Sequence, residues 1–310
     1  KLIDVLAVLT TIFGLATSLG LGATQINSGL NHLFGLEFSI TSQIIIIFSI
    51  TFCAGLSLLV GLENGIRRLS EFNMLSAVLL MLFVLFVGPT LFLLKGIPEH
   101  FGNYIQNFIS MSFYTDTFED GGWIKSWTIF YWAWWISWSP FVALFIARIS
   151  KGRTIREFIL GVLFAPTLAG ALWVCIFGGA ALHIELFGNG GISEAVNANV
   201  STAIFSFLEH YPLSKFSSFL AIMVIAAFFI SSSDSGSFVI DILTSSSSDT
   251  HPTWQKVYWV SMEGIVAALL MLIGGLGALQ AGAIATGLPF CLVLIAVCFS
   301  LQKNLNTHPG

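Results

Sequence analysis

Four aromatic side chains in the segment WTIFYWAWWISWSPF recur at a spacing that places them on one face of an α-helix. They are Tyr131, Trp134, Trp135 and Trp138. Aromatic faces attract a cation that has lost its water, and each ring contributes about 0.5–2 kcal/mol. A trimethylammonium group fits such a box because its charge is diffuse and it carries no hydrogen-bond donor. The pattern therefore favours a cation-binding site, with ordinary aromatic packing as the open alternative.

The depth of these rings matters because Trp and Tyr also collect at membrane–water interfaces. An interfacial belt explains Trp127 and Trp132. Trp138, however, lies about 16 Å further along the helix than Trp127 at 1.5 Å per residue, close to the middle of a bilayer. Pro140 follows, and it has no N–H to offer the carbonyl of Ile136. The sequence thus predicts either a broken helix that lines a cavity or a simple proline kink.

A second polar group interrupts an apolar helix in the segment FFISSSDSGS, residues 228–237, which contains five serines and Asp234. Hydroxyl and carbonyl oxygens are ligands that a hard cation such as Na⁺ accepts. A carboxyl group within a membrane is costly and is a functional-site hypothesis by default. Packing through small residues, with Asp234 at the cytoplasmic edge, explains the same pattern. Glu263 is a further isolated carboxyl, either buried or reaching from a helix end toward the cytoplasm.

Small residues dominate the segment GLATSLGLGA, which begins at Gly14. Together with Gly14, Gly20 and Gly22 allow another helix to approach closely. Thr17 and Ser18 could supply hydroxyl groups to an ion, but packing alone is the interpretation that this pattern favours.

The elements that must hold these groups are membrane-spanning helices. The 310-residue chain is 56% hydrophobic and 9% charged, with a mean hydropathy of +0.89, whereas soluble domains are about 25% charged. A protein with so little charge must have lipid as its main solvent. Eight segments are long and uniformly apolar enough to cross a bilayer as helices: roughly 4–30, 39–61, 74–95, 127–147, 158–181, 216–243, 257–277 and 281–301.

The charged residues set the expected orientation. Nine of the 12 Lys and Arg residues fall in one set of loops, which places those loops and both ends of the chain in the cytoplasm. The connections 96–126 and 182–215 then lie outside, where helical spacing predicts short amphipathic helices or caps on the bundle. The apolar residues concerned are Phe101, Tyr104, Ile105 and Phe108, and in the second connection Val200, Ile204, Phe207 and Leu208.

Several function classes need residues that are not found at the required places. The net charge is −4 without a basic patch, which argues against nucleic-acid binding. The four cysteines have the spacing of neither a metal site nor a disulfide framework, so buried free thiols are expected. All six histidines fall in loops or at helix ends, which disfavours an ammonium channel, and Asp234 and Asp241 share one helix, which disfavours an intramembrane aspartyl protease. No enzyme activity or organic cofactor is predicted, and a non-transporting membrane protein or an amine channel stays as the alternative.

Three segments together resemble the betaine/choline/carnitine transporter (BCCT) family over essentially the whole chain: FGLATSLGLGATQINSGL, WAWWISWSPF followed by FIARISKGRTIREF, and FFISSSDSGS. The resemblance implies an all-α integral membrane fold of the leucine-transporter type, with twelve spans and two five-helix inverted repeats. The eight spans here look like the fifth to the twelfth, and the chain begins at Lys1 rather than Met, so the first four are expected to be missing. Residues 1–126 would hold the last three helices of the first repeat and an outer amphipathic helix, and residues 127–310 would hold the second repeat.

The resemblance also implies a function. Trp134, Trp135 and Trp138 would line the path of a quaternary-ammonium osmolyte, such as choline or glycine betaine, through a symporter of the plasma (inner) membrane. Carnitine exchangers of the family, which need no sodium gradient, place an Arg in the first of these spans. No Arg occurs between residues 2 and 66, which argues against that subgroup. Family members are often homotrimers.

Two sets of oxygen ligands for a coupling ion are implied in the same way. They are the Phe228 carbonyl with the Ser231 and Ser232 hydroxyls and, more weakly, the Thr17 and Ser18 hydroxyls with the Phe141 carbonyl. Many members have Thr where this chain has Ser231. Serine keeps the hydroxyl group, so the ligand for the ion is preserved. Na⁺ and H⁺ are both left open as the coupling ion.

Overall fold

The computed structural model describes residues 1–60, 67–118, 122–245 and 252–307, and the regular structure in these parts is entirely helical. Seven helical stretches within them are long and apolar enough to cross a membrane. The prediction of an all-α integral membrane protein is confirmed. The α-helices are α1 (Leu2–Phe34), α2 (Ile40–Val60), α3 (Arg67–Val87), α4 (Thr90–Ser112), α5 (Tyr131–Ile149), α6 (Ile155–Trp173), α7 (Gly179–Phe187), α8 (Ile192–Ala198), α9 (Ala203–Leu208), α10 (Ser214–Thr244) and α11 (Thr253–Thr307).

The predicted spans differ from these helices mainly in two places. The third prediction, 74–95, is displaced, because α3 ends at Val87 and Pro89 precedes a new helix. The seventh and eighth predictions both lie within α11, a 55-residue helical run with a sharp kink. The second prediction, 39–61, ends one residue outside the described part of the chain. Two of the histidines considered above, His251 and His308, also lie outside the described residues.

The kink in α11 lies at Gly274 and Gly275, where the backbone leaves the helical conformation. Gly275 has φ 59° and ψ −147°, a combination that essentially only glycine adopts. The part of α11 before the kink packs on α2, with Gly264 directly against Thr51. The part after the kink packs on α1, where the hydroxyl of Thr17 donates a hydrogen bond to the carbonyl of Leu279.

Helix α1 is the centre of the packed core and contacts α2, α5, α10 and α11. Its small residues allow this close packing. A Cβ atom on Gly20 would overlap the side chain of Leu279, and one on Gly22 would overlap the ring of Phe229. These contacts agree with the interpretation of the glycine-rich segment as a packing surface.

The two connections predicted to lie outside the membrane, 96–126 and 182–215, have different structures. Helix α4 exposes Tyr104, Ile105 and Phe108, as expected for an amphipathic helix on a surface. In the second connection, Phe207 and Leu208 are buried in the main hydrophobic core. This second segment therefore caps the bundle.

Helix α5 carries the aromatic stripe and follows directly on π-helical turns at Ile124–Phe130. The prediction of a broken helix is wrong, because α5 continues through Pro140 to its end. The hydroxyl of Ser139 donates to the carbonyl of Ile136 at 2.6 Å. That carbonyl is the one that Pro140 leaves without an N–H partner, so the proline is accommodated within an intact helix.

Candidate functional site

The four aromatic side chains of the predicted cation box line one recess on α5, together with Val142. This aromatic recess has a volume of about 300 Å³. Neighbouring rings meet edge to face: the centroids of Tyr131 and Trp134 are 5.9 Å apart at 77°, and those of Trp134 and Trp138 are 6.4 Å apart at 85°. Such pairs are favourable arrangements of aromatic quadrupoles, and they present rings to the recess in different orientations.

The recess is open on one side and anchored on the other. Trp135 is 59% exposed and Tyr131 is 37% exposed, whereas Trp134 and Trp138 are half-buried. The rings do not all point outward, which is what a purely interfacial belt would require. Trp132, at 64% exposure, lies outside the recess.

Trp134 and Trp138 are attached to α1 through their indole N–H groups. Both donate to Oγ of Ser18, at 3.0 and 3.2 Å, and Trp138 Nε1 is also 3.4 Å from the carbonyl oxygen of Gly14. The helices are close enough for this because a Cβ atom on Gly14 would lie only 3.0 Å from that of Ser137. The structure thus brings two predicted substrate residues and one predicted ion ligand together.

Thr17, another member of that second ion set, is directed elsewhere. The Thr17 hydroxyl lies 2.8 Å from the carbonyl oxygen of Leu279 on α11. Phe141 is buried in a cluster with Phe238 on α10. Thr17 therefore faces α11, while Ser18 faces α5.

The first ion set occupies one turn of α10. The hydroxyl of Ser231 donates to the carbonyl of Phe228 at 3.1 Å, and both Ser231 and Ser232 are half-buried. Asn73 of α3 lies against the same turn: with its amide turned so that both of its polar atoms are satisfied, the nitrogen donates to the carbonyl of Val224 at 3.3 Å and the oxygen accepts from the N–H of Phe228 at 3.2 Å. Hard cations such as Mg²⁺ and Ca²⁺ take about six oxygen ligands or more. The three oxygens of this turn can therefore form only one side of an ion site.

A family model for the betaine/carnitine/choline transporters, BCCT, matches residues 1–310. The chain belongs to the BCCT family. Its relatives include a glycine betaine/proline/choline transporter of Vibrio parahaemolyticus, 46% identical over 308 residues, and a glycine betaine transporter of Acinetobacter baylyi, 45% identical over 304 residues. A glycine betaine transporter of Bacillus subtilis is 46% identical over 308 residues.

The alignments cover nearly all of this BCCT chain but much less of the relatives. The matched part is 99% of the chain and 55% of the Vibrio protein, 98% and 46% for the Acinetobacter protein, and 99% and 60% for the Bacillus protein. The chain spans about half the length of the curated relatives it matches. The resemblance to BCCT transporters and the multi-pass membrane fold are confirmed.

Two of the buried carboxyl groups of the BCCT chain have hydrogen-bond partners that were not predicted from the sequence. Glu263 of α11 accepts hydrogen bonds from Ser233 and Ser237 of α10, at 2.9 and 2.7 Å. Asp234 accepts one from Ser57 of α2 at 2.6 Å. Both carboxyl groups are fully buried, so Glu263 does not extend to the surface as its alternative interpretation required. The spacing of Ser233 and Ser237 by four residues, which places them on one helix face, is the trace of this arrangement in the sequence.

Proposed function

We propose that the complete protein takes up a quaternary-ammonium osmolyte, such as choline or glycine betaine, by symport with Na⁺ or H⁺ across the plasma membrane. The observation that supports this most directly is the aromatic recess, where four rings from one helix border about 300 Å³. Relatives named as glycine betaine and choline transporters, at about 46% identity, support the same substrate class. Alternating access of the recess to the two sides of the membrane would move the substrate.

The chemistry of the recess favours a methylated cation over a protonated primary amine. The indole N–H groups of Trp134 and Trp138 are occupied by Ser18. The rest of the lining is almost entirely apolar ring and aliphatic surface, so it offers few hydrogen-bond acceptors. A primary ammonium group brings three donors, which would be left unsatisfied there at a considerable cost. A trimethylammonium group brings none, and each ring still contributes about 0.5–2 kcal/mol.

Coupling to an ion has two main candidate locations, besides the more weakly implied set that includes Thr17 on α1. The Phe228 carbonyl with the Ser231 and Ser232 hydroxyls offers neutral oxygens, which suit Na⁺. The buried carboxyl groups of Asp234 and Glu263 are suited to carrying a proton, because a carboxyl group inside a membrane is neutral when protonated. Sodium coupling is proposed for the first location, and proton coupling, as the alternative, for the second.

The remaining features of the proposal concern assembly. Residues 1–126 would contain the end of the first inverted repeat, and residues 127–310 the second repeat. The open side of the recess and the missing ion ligands would be completed by parts of the protein outside this chain. Both ends of the chain would face the cytoplasm, and the protein would form a homotrimer.

Uptake measurements on the complete gene product test the proposal. Radiolabelled choline, glycine betaine and carnitine would be supplied with and without Na⁺ and at several external pH values, with ethanolamine as the non-methylated comparison. Saturable uptake of a methylated cation that depends on one of the two gradients supports the proposal. Absence of such uptake, or a gradient-independent ammonium conductance, overturns it.

A further inference from the structure

We propose that Ser18 is a positioning residue, which fixes the two indole rings at the base of the aromatic recess. This inference rests on the proposed function, because it assigns to Ser18 the task of holding Trp134 and Trp138 where a methylated cation would bind. It also changes the role expected for Ser18, which the family resemblance placed among ion ligands.

The hydrogen bonds of Ser18 account for the whole capacity of its hydroxyl group. A serine hydroxyl has one proton to donate and two lone pairs that can accept. The proton of Ser18 is donated to the carbonyl of Gly14 at 2.9 Å. The lone pairs accept from Nε1 of Trp134 at 3.0 Å and from Nε1 of Trp138 at 3.2 Å. Ser18 is 1% exposed, so water does not compete for these positions.

The two indole groups need this acceptor. An indole N–H can only donate, and inside a membrane protein an unsatisfied donor is costly. The Gly14 carbonyl, 3.4 Å from Trp138, is a longer and weaker second acceptor, and Trp134 has Ser18 alone among the described residues. Without the hydroxyl, both rings would have to rotate to find other partners, and the shape of the recess would change.

The three hydrogen bonds of the Ser18 hydroxyl also argue against Ser18 as a cation ligand in this arrangement, because no lone pair is left to coordinate the ion. Thr17 differs in this respect. Its proton is directed to carbonyl oxygens of Phe13 and Leu279, both at 2.8 Å, and no donor to its oxygen occurs among the described residues. An ion site on this part of α1 would therefore use Thr17, while Ser18 serves α5.

Transport kinetics of the complete gene product provide the first test, with radiolabelled glycine betaine and choline as probes. In Ser18→Ala we expect KM to rise about tenfold or more, as for the loss of a buried acceptor, with maximal velocity changed less than about twofold. Ser18→Thr keeps the hydroxyl and is expected to restore most of the affinity. Thr24→Ala is the matched control, since Thr24 is buried on the same helix and its bonds to described residues stay within that helix, to Gly20 and Leu21. An unchanged KM in Ser18→Ala overturns the positioning role.

A second measurement needs no substrate. With ¹⁵N-labelled tryptophan, the indole N–H resonances can be assigned by Trp134→Phe and Trp138→Phe. We expect Ser18→Ala to shift both resonances, and Thr24→Ala to shift neither. Unshifted resonances in Ser18→Ala overturn the anchor itself. If the wild-type protein takes up no methylated cation while the resonances shift as expected, the anchor stands and the proposed function fails.

Discussion

Glu263 on α11 and Ser237 on α10 are joined by a hydrogen bond of 2.7 Å in a position where neither side chain is accessible. Ser233, one turn away on the same helix, donates to the other carboxyl oxygen. No salt bridge reaches Glu263 within the described residues. A bare carboxylate without a neighbouring cation is very costly inside a membrane protein. We therefore expect a proton or a bound cation to neutralise this group.

Replacement of Glu263 tests that expectation. Glu263→Gln keeps the size and one acceptor oxygen but removes the charge, so it should fold with a melting temperature close to that of the wild type. If Glu263 carries the coupling proton, uptake by this variant should lose its dependence on external pH. Glu263→Leu removes the acceptor for two serine hydroxyls and should destabilise the protein by about 1–3 kcal/mol. Glu71→Gln, at an exposed position, is the control. Uptake by Glu263→Gln with an unchanged pH profile would contradict proton coupling here.

Removal of one ring from the recess should abolish the proposed cation binding. Trp138→Leu removes a half-buried ring in the centre of the membrane-spanning segment and is expected to eliminate saturable uptake of choline or glycine betaine. Trp138→Phe keeps an aromatic face and should retain partial activity. Trp132→Leu is the matched control, because that ring is on the same helix but outside the recess. Equal uptake by Trp138→Leu and Trp132→Leu would show that the recess does not bind the substrate.

The serine hydroxyls of α10 provide a test of sodium coupling. Combined replacement of Ser231 and Ser232 with Ala should raise the sodium concentration needed for half-maximal uptake, because two of the proposed oxygen ligands are lost. Ser217→Ala is a suitable control, since Ser217 lies on the same helix and its hydroxyl, within the described part of the chain, bonds only to the carbonyls of Leu213 and Ser214. An unaltered sodium dependence of uptake in the double variant would exclude this turn as the ion site.

The kink of α11 should be sensitive to a single methyl group. Gly275→Ala places a Cβ on a backbone with φ 59°, ψ −147°, so we expect a loss of about 1–3 kcal/mol in stability. Gly277→Ala, two residues later, has open space and no such φ, and it should be neutral or slightly stabilising. Thermal unfolding of the two purified variants in the same detergent provides the comparison. Equal melting temperatures would mean that the kink does not require a glycine.

Hydropathy predicted the membrane helices well but not all of their ends. A run of apolar residues continues across Gly88 and Pro89, so its length gave no sign that α3 stops at Val87 and α4 begins at Thr90. The same limitation applies to α11, where two separate spans, 257–277 and 281–301, were predicted, whereas the break in the helix lies at Gly274 and Gly275, within the first of them. These boundaries depend on backbone geometry at particular glycine and proline residues.

The aromatic site was predictable only in part, because the sequence shows the spacing of residues along one helix but not the contacts between helices. Spacing along one helix was sufficient to place Tyr131 and Trp138 on the same face. Spacing cannot show contacts between helices, and Ser18 meets Trp134 across 116 residues of sequence. The bond between Ser237 and Glu263, and the contact of Asn73 with α10, were not predicted because they too depend on how distant helices pack.

The hydrogen bond from the Ser139 hydroxyl to the Ile136 carbonyl has a mechanical consequence for α5. Proline commonly introduces a flexible point into a membrane helix, yet here the hydroxyl replaces the missing backbone donor within the same turn. We therefore expect α5 to behave as one unbroken segment, in which the spacing of the neighbouring indole rings is preserved. If α5 moves during transport, the hydrogen bonds of Trp134 and Trp138 to Ser18 would carry it together with α1, and the aromatic recess would keep its shape.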